Sequence, residues 1–191
     1  MTTVTVNASK CYDIKIGSGL LSQAGQEIAA LGRVKTVAIV SDSNVWPIYG
    51  ETLQESLTDA GFTAVSFVFP AGEESKNAAV YLELLNFLAE KQLTRTDLIA
   101  ALGGGVVGDL AGFAAATYLR GIRFVQLPTT LLAAVDSSQD KAILDHDSAA
   151  CRKICKVPCL ESGLWTVLGT SVKDYHSNPF LLQPVTSSDV P

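Results

Sequence analysis

The 191-residue sequence lacks several features that would assign it to a membrane, secreted or nucleic-acid-binding class. It has no apolar run near the roughly 20 residues of a membrane span, and its first residues lack the basic and apolar regions of a secretory signal. Basic residues are outnumbered, so the net charge of −5 argues against nucleic acid or a membrane as the main partner. Because 48% of residues are hydrophobic and only 17% are charged, a globular chain is expected.

The four cysteines do not spread through the sequence as an extracellular disulfide framework would. Cys11 stands alone, and Cys151, Cys155 and Cys159 cluster near the end. A reducing compartment is therefore favoured, and we expect a cytoplasmic protein.

Short β-rich runs and helical stretches alternate up to Gly121, which predicts an α/β fold with a parallel sheet layered by helices and an N-terminal β-hairpin. Apolar runs and period-2 alternation predict strands over 4–7, 12–17, 37–40, 65–69, 98–102 and 124–127. Helical spacing predicts helices over 20–31, 47–60, 76–91 and 110–119.

The character of the sequence changes beyond Ser138, which predicts an α/β domain over 1–138 and a divergent, irregular tail over 139–191. The tail holds both histidines, His146 and His176, and the clustered cysteines. Cysteines at Cys151, Cys155 and Cys159 would align on one helix face as metal ligands, but Pro158 interrupts such a helix. We therefore favour packing cysteines, and we interpret the tail as a truncated or frame-altered C-terminus.

A glycine loop follows the predicted strand 98–102 and opens a helix. Its G-x-G-x-x-G spacing from Gly103 to Gly108 suits a pyrophosphate at a helix N-terminus, with a tight structural turn as the alternative. The Rossmann pattern expects an acidic residue about 20 positions later, and this sequence has none there. Asp42, at the end of an earlier strand, is the candidate, although it would equally serve as a turn cap.

Five segments in register resemble 3-dehydroquinate synthase over about residues 1–138. They are Ser41-Asp42-Ser43-Asn44-Val45, Ala71-Gly72-Glu73-Glu74-Ser75-Lys76, Gly103-Gly104-Gly105-Val106-Val107-Gly108-Asp109, Ala114 to Gly121, and Gln126 to Ser138 with the sequence QLPTTLLAAVDSS. The resemblance implies a Rossmann-like domain that binds NAD, in an enzyme that is a homodimer.

The resemblance also implies roles in cofactor binding. The adenosine side of NAD would contact Asp42 and Asn44, and its ribose and nicotinamide region would contact Glu73 and Lys76. The pyrophosphate would lie on Gly104, Gly105, Val106, Val107, Gly108 and Asp109, with Thr129 and Thr130 lining the cleft. Without the resemblance, Lys76 reads as a surface residue, Glu73 as a charge at a helix start, and the threonines as helix caps.

The catalytic roles implied by the resemblance concern a sugar phosphate. Asp136 would face the substrate, and Arg120 would hold its phosphate within one chain or across a dimer interface. Without the resemblance, Arg120 reads as a charge at a helix C-terminus. The reaction converts 3-deoxy-arabino-heptulosonate 7-phosphate to 3-dehydroquinate and phosphate, with NAD and a divalent metal, zinc or cobalt.

The sequence departs from the family after Ser138. Gln139-Asp140-Lys141-Ala142 replaces a Val-Gly-Gly-Lys-Thr segment, so Lys141 is only an approximate substitute for a phosphate-contacting lysine. The helical domain with its metal ligands is absent from the sequence, which predicts impaired activity. Another sugar-phosphate cyclase, a polyol dehydrogenase or a non-catalytic NAD-binding module remain alternatives.

Overall fold

The computed structural model describes residues 2–7, 11–134 and 155–157. The chain divides into the units Met1–Cys159 and Leu160–Pro191, and every described residue lies in the first. The expected boundary at 138/139 and the expected irregular tail are mostly outside the described residues, so both stay predictions. Asp136, Lys141, His146 and His176 are outside them as well.

The N-terminal hairpin is confirmed as two antiparallel strands, β1 (Thr2–Asn7) and β2 (Cys11–Ile16), with Thr2 opposite Ile16. A third strand, Cys155–Val157, runs parallel to β2 in the same sheet; as the last strand that the structure describes, it is β7. This strand was not expected within the tail. It also removes the helix that the aligned-cysteine metal site required, because residues of a strand do not repeat at helical spacing.

The expected parallel sheet is confirmed, with strand order β4-β3-β5-β6. Its strands are β3 (Thr36–Asp42), β4 (Thr63–Phe69), β5 (Leu98–Gly103) and β6 (Arg123–Pro128). The helices are α1 (Ala24–Ala29), α2 (Trp46–Asp59), α3 (Ala78–Glu90) and α4 (Gly105–Thr117). Short 3-10 turns cover Glu73–Ser75 and Tyr118–Arg120.

Helices cover both faces of this sheet, so its central strands are buried on both sides. Leu98, Ala100 and Leu102 of β5 pack in the cluster that includes α1 and α2. Ile99 and Ala101 point to the opposite face, in the cluster of α3 and α4. Side chains that alternate along a strand therefore pack into two separate cores, one on each face of the sheet. This explains why β5 is apolar at every position but its last. None of the helices that the structure describes is long and apolar enough to cross a bilayer.

The first helix is shorter than the predicted 20–31. Residues before Ala24 form turns, with Gln23 N–H donating to Leu20 O, and Gly19 has φ +68°. The helix does end near the predicted Gly32, which has φ +102°. Gly25 lets α1 approach α2 closely, because a Cβ there would lie 2.0 Å from Ser56 O.

Two further helix starts differ from the prediction. Helix α3 begins at Ala78 rather than residue 76, because the Asn77 side chain accepts a hydrogen bond from Val80 N–H and caps it. Helix α4 begins at Gly105 rather than residue 110. The second half of the glycine loop is therefore the first turn of the helix, although glycine is a poor helix former.

Candidate cofactor site

The strands of the parallel sheet all end at one edge, which we call the carboxyl edge. From β3 the chain continues to β4, which lies on one side of β3 in the sheet. From β5 it continues to β6, which lies on the opposite side of the sheet. Such a reversal opens a crevice between the two strand ends, where ligands bind in this class of sheet. Asp42 ends β3 and Gly103 ends β5, and each follows directly after the paired residues Ser41 and Leu102.

The first two glycines of the loop are required by packing within the protein. A Cβ on Gly103 would lie 2.5 Å from the Val107 side chain, and one on Gly104 would lie 3.3 Å from Thr130 Cγ2. The Gly103 carbonyl also accepts a 3.0 Å hydrogen bond from Thr129 N–H, which joins the end of β5 to the segment after β6.

Gly105 differs from these two, because no atom of the described residues lies within 4 Å of the position its Cβ would take. Its φ is not in the left-handed region, so neither packing nor backbone conformation explains the glycine. The open space lies at the start of α4, where Gly104 provides no side-chain cap. A glycine that leaves room beside a bare helix start is what a closely approaching phosphate requires.

The start of α4 also presents free donors. The first backbone bond of this helix joins Gly108 N–H to Gly104 O at 3.0 Å. Within the part of the chain that the structure describes, the N–H groups of Gly105, Val106 and Val107 have no acceptor among the hydrogen bonds. These donors and the positive end of the helix dipole favour an anion. In α3, by contrast, Asn77 fills this role.

An ion pair joins two of the predicted cofactor segments. Lys76 Nζ lies 2.6 Å from Asp109 Oδ2 on α4 and 3.7 Å from Glu73 Oε1. The hydrogen bond and charge of Asp109 raise the pKa of Lys76 above its usual 10.5, and Glu73 adds to this. Lys76 is therefore a cation at neutral pH, and it holds the segment after β4 against the side of α4 that adjoins the glycine loop.

Asp42 performs the turn-capping role that the sequence left open. Its Oδ1 accepts hydrogen bonds from Asn44 N–H at 2.8 Å and Val45 N–H at 2.9 Å. Both bonds fall on one oxygen, which leaves Oδ2 for another donor. Ser43 adds a link to the neighbouring loop, because its hydroxyl accepts from Ala71 N–H at 3.0 Å.

The two threonines after β6 lie beside the glycine loop as expected. Thr129 is buried, and its N–H bonds to the Gly103 carbonyl. Thr130 Oγ1 accepts a hydrogen bond from Ala133 N–H at 3.0 Å, so this residue does cap the segment that follows. Thr130 Cγ2 also faces Gly104, so the capping residue lies against the glycine loop.

Arg120 is the one described site residue that lies away from this cluster. It precedes β6, at the edge where the strands begin, which we call the amino edge. Helix α4 separates it from the glycine loop, and a helix of 13 residues is about 20 Å long. Within one chain, Arg120 therefore does not meet the cofactor residues of the carboxyl edge.

Sequence reasoning missed one feature of the site. The pairing of Lys76 with Asp109 joins residues of two separate motifs, and only their opposite charges indicated it. Among the described residues, no group of three or more His, Cys, Asp or Glu side chains could hold a metal ion.

Comparison with known sequences identifies the relatives of this site. Residues 66–148 match the family described as 3-dehydroquinate synthase N-terminal. Over 127 residues the chain is 54% identical to the 3-dehydroquinate synthase of Streptococcus pneumoniae (strain ATCC 700669 / Spain 23F-1). That match covers 66% of this chain and 36% of the relative, so the chain spans well under half of that enzyme. The resemblance predicted from the five segments is confirmed for this N-terminal part.

Solved structures with the same fold include two of 2-deoxy-scyllo-inosose synthase. One is 25% identical with a TM-score of 0.69, covering 81% of this chain and 46% of that chain. The other is a complex with carbaglucose-6-phosphate, NAD+ and Co2+; it is 24% identical with a TM-score of 0.68 and covers 82% and 46% of the two chains. These likenesses confirm the Rossmann-like fold.

Proposed function

Because its N-terminal part matches 3-dehydroquinate synthases in sequence, we propose that this chain forms the NAD-binding half of such an enzyme. The observation that carries the proposal is the unfilled space at Gly105 beside the uncapped start of α4. A pyrophosphate lying there accepts hydrogen bonds from N–H groups that the protein leaves free.

The rest of the cofactor follows the crevice between β3 and β5. Asp42 Oδ2 accepts a hydroxyl of the adenosine ribose, and Asn44 contacts the same side of NAD. Two hydrogen bonds to Oδ1 fix the Asp42 carboxylate for this role. Glu73 and Lys76 lie at the ribose and nicotinamide region, and Thr129 and Thr130 line the cleft. The synthase that shares this fold was crystallised with NAD+, which agrees with a dinucleotide in this crevice.

The proposed reaction takes 3-deoxy-arabino-heptulosonate 7-phosphate to 3-dehydroquinate and phosphate, as a phosphorus–oxygen lyase of the shikimate pathway. NAD supplies reversible hydride transfer when bound. Lys76 keeps its proton through pairing with Asp109, so it offers a fixed positive charge beside the cofactor. Asp136 and Lys141, outside the described residues, remain proposed as substrate-contacting groups.

In this proposal Arg120 contacts the substrate and not the cofactor. The length of α4 separates it from the carboxyl edge, so it holds a substrate phosphate in the site of a second chain. The homodimer that the resemblance implies would supply that arrangement. Cytoplasmic location likewise stays a prediction.

The metal of the family has no candidate ligand cluster of three or more His, Cys, Asp or Glu side chains in residues 2–7, 11–134 and 155–157. A second candidate function is an NAD-binding module without turnover of its own, which needs only the start of α4 and the crevice beside Asp42.

Calorimetric titration of the 191-residue chain with NAD tests the proposal. We expect one NAD per chain, and absence of binding would contradict both candidate functions. A turnover assay with zinc and the heptulosonate phosphate then separates them. Formation of dehydroquinate supports the synthase, whereas NAD binding without turnover supports the module.

A further inference from the structure

Ser43, in the loop after β3, forms two hydrogen bonds to the end of β4 and to the chain that follows it. Its N–H donates to Phe69 O at 2.9 Å, and its hydroxyl accepts from Ala71 N–H at 3.0 Å. The first bond extends the pairing of β3 with β4 by one residue beyond Asp42 and Phe69. The second bond depends on the side chain, because only a residue with an acceptor at this place forms it.

The chain between Ala71 and Lys76 is a compact series of turns. A 3-10 turn lies between these two residues, and Lys76 N–H donates to Glu73 O at 2.9 Å. The buried Ser75 also donates its hydroxyl to Pro70 O, which draws the end of the turn back to its beginning. Because these bonds join the two ends, the place of Ala71 influences the place of Lys76.

Two side chains hold residues 70–76, one near each end. The Ser43 hydroxyl binds this segment at Ala71, and Asp109 of α4 binds it at Lys76, with 2.6 Å between Lys76 Nζ and Asp109 Oδ2. Ser43 directly follows Asp42 in the sequence. Its hydroxyl therefore links the loop proposed for the adenosine side of NAD to the segment proposed for the nicotinamide side.

We infer that Ser43 is a positioning residue, which sets where Lys76 meets the nicotinamide half of NAD relative to the adenosine half at Asp42. Ser43 acts through the backbone of residues 70–76 and not by touching the cofactor. A segment that is already fixed in its bound position loses less conformational entropy when the ligand binds, so the bond contributes to affinity. The inference rests on the proposed function, because it requires NAD in the crevice.

A purely structural role for the same bond would have a different effect on binding. If the Ser43 hydroxyl only stabilised the loop after β3, its loss would disturb Asp42 and would weaken binding of the adenosine half as well. AMP carries adenosine and one phosphate but no nicotinamide ribose, so it reaches Asp42 and the start of α4 without Lys76. Comparing NAD with AMP therefore separates the two roles.

Calorimetric titration of the 191-residue chain and its variants with NAD and with AMP tests the inference. Ser43→Ala keeps the backbone bond to Phe69 and loses the acceptor for Ala71 N–H. We expect its NAD affinity to fall about fivefold, which is the effect of one neutral hydrogen bond, and its AMP affinity to stay unchanged. Ser43→Thr retains a hydroxyl and should bind NAD as the unsubstituted chain does.

Ser66→Ala is the matched control, because Ser66 is an exposed serine in the middle of β4. Its NAD affinity should stay unchanged. A double variant tests the route of the effect, since residues that act independently have additive effects. Adding Ser43→Ala to Lys76→Met should cause no further loss of NAD affinity, because the group that Ser43 positions is already absent.

Equal NAD affinity of folded Ser43→Ala and the unsubstituted chain would overturn the inference. An equal loss of AMP affinity, an equal loss in Ser66→Ala or in Ser43→Thr, or an additive loss in the double variant would also overturn it. If Ser43→Ala does not fold, Ser43→Gly, which also lacks the hydroxyl, decides in the same way. Absence of NAD binding by the unsubstituted chain would contradict the proposed function itself, whereas NAD binding that does not depend on Ser43 would contradict this inference alone.

Discussion

The parallel sheet has one aspartate at each edge, and the two carboxylates are used in opposite ways. At the amino edge, Asp97 is buried and its carboxylate is satisfied by Thr94, Thr36 and Lys35. At the carboxyl edge, within the part of the chain that the structure describes, one oxygen of Asp42 and the first N–H groups of α4 have no partner. A carboxylate that accepts all its hydrogen bonds from the protein stabilises the fold, whereas polar groups left unpaired at a crevice are available to a ligand. This difference supports our proposal that the cofactor binds at the carboxyl edge.

The largest effect on NAD affinity is expected at Gly105. We expect Gly105→Val to reduce NAD affinity at least about 100-fold, because the added side chain fills the space proposed for the pyrophosphate. Thermal unfolding and circular dichroism should change little, since no protein atom lies within 4 Å of the new Cβ.

Gly112→Ala is the control for that substitution. It lies on the same helix, and its Cβ would make ordinary contact with Phe124 at 3.7 Å. NAD affinity should stay unchanged in this variant. Unchanged affinity in Gly105→Val as well would mean that the glycine loop is structural only.

At Asp97 we expect the opposite result, which is a loss of stability without a change in NAD affinity. Replacing it with Asn leaves backbone donors of Thr94 and Thr36 poorly paired in a buried place, so stability should fall by about 2–4 kcal/mol. Asp59→Asn removes the same charge from an exposed helix end and should change stability by less than about 0.5 kcal/mol. Urea unfolding measures both. NAD affinity should remain unchanged in each, and a specific loss in Asp97→Asn would contradict the division between the edges.

The sequence predicted the carboxyl edge better than the amino edge for a physical reason. An apolar run that ends in spaced glycines is a local signal, and it located β5 and its loop. The bond from Thr36 to Asp97 joins residues far apart in sequence, and no local pattern indicates it. The same holds for Lys76 with Asp109.

The start of α4 shows that helix propensity alone does not predict where a helix begins. Glycine disfavours helix, so the sequence predicted a start at Leu110, whereas the helix begins at Gly105. Packing of Val107 and Ala111 against β5 outweighs the local preference. At Asp42 the sequence left capping and ligand binding open, and the structure places the cap on a single oxygen, which permits both.

A smaller effect on NAD affinity is expected at Lys76, beside the proposed cofactor. Lys76→Met should weaken NAD binding about tenfold, because a charged donor beside the cofactor is lost. Lys91→Met is the control, since Lys91 lies over the Phe87 ring on α3. Calorimetry at two salt concentrations measures both variants, and the Lys76 effect should shrink at high salt. Equal effects of the two substitutions would remove Lys76 from the site.

The smallest effect concerns acid stability at the amino edge. Burial alone would raise the pKa of Asp97, but hydrogen bonds from Thr94, Thr36 and Lys35 outweigh it and hold the pKa below its usual 3.8. This contribution is present above the unfolded pKa and is lost as the pH falls through the lower folded value. The stability gap between the unsubstituted chain and Asp97→Asn, measured in urea, should therefore narrow from pH 7 to below pH 3.8. A constant gap would contradict the ionised, hydrogen-bonded Asp97.

Hydrogen–deuterium exchange with and without NAD tests the assignment of the cofactor edge most directly. On NAD binding, we expect the backbone amides from Gly104 to Asp109 and around Lys76 to exchange more slowly. The amino edge, from Leu93 to Asp97 and from Tyr118 to Ile122, should exchange as before. Protection at the amino edge, or no protection at the start of α4, would contradict the account.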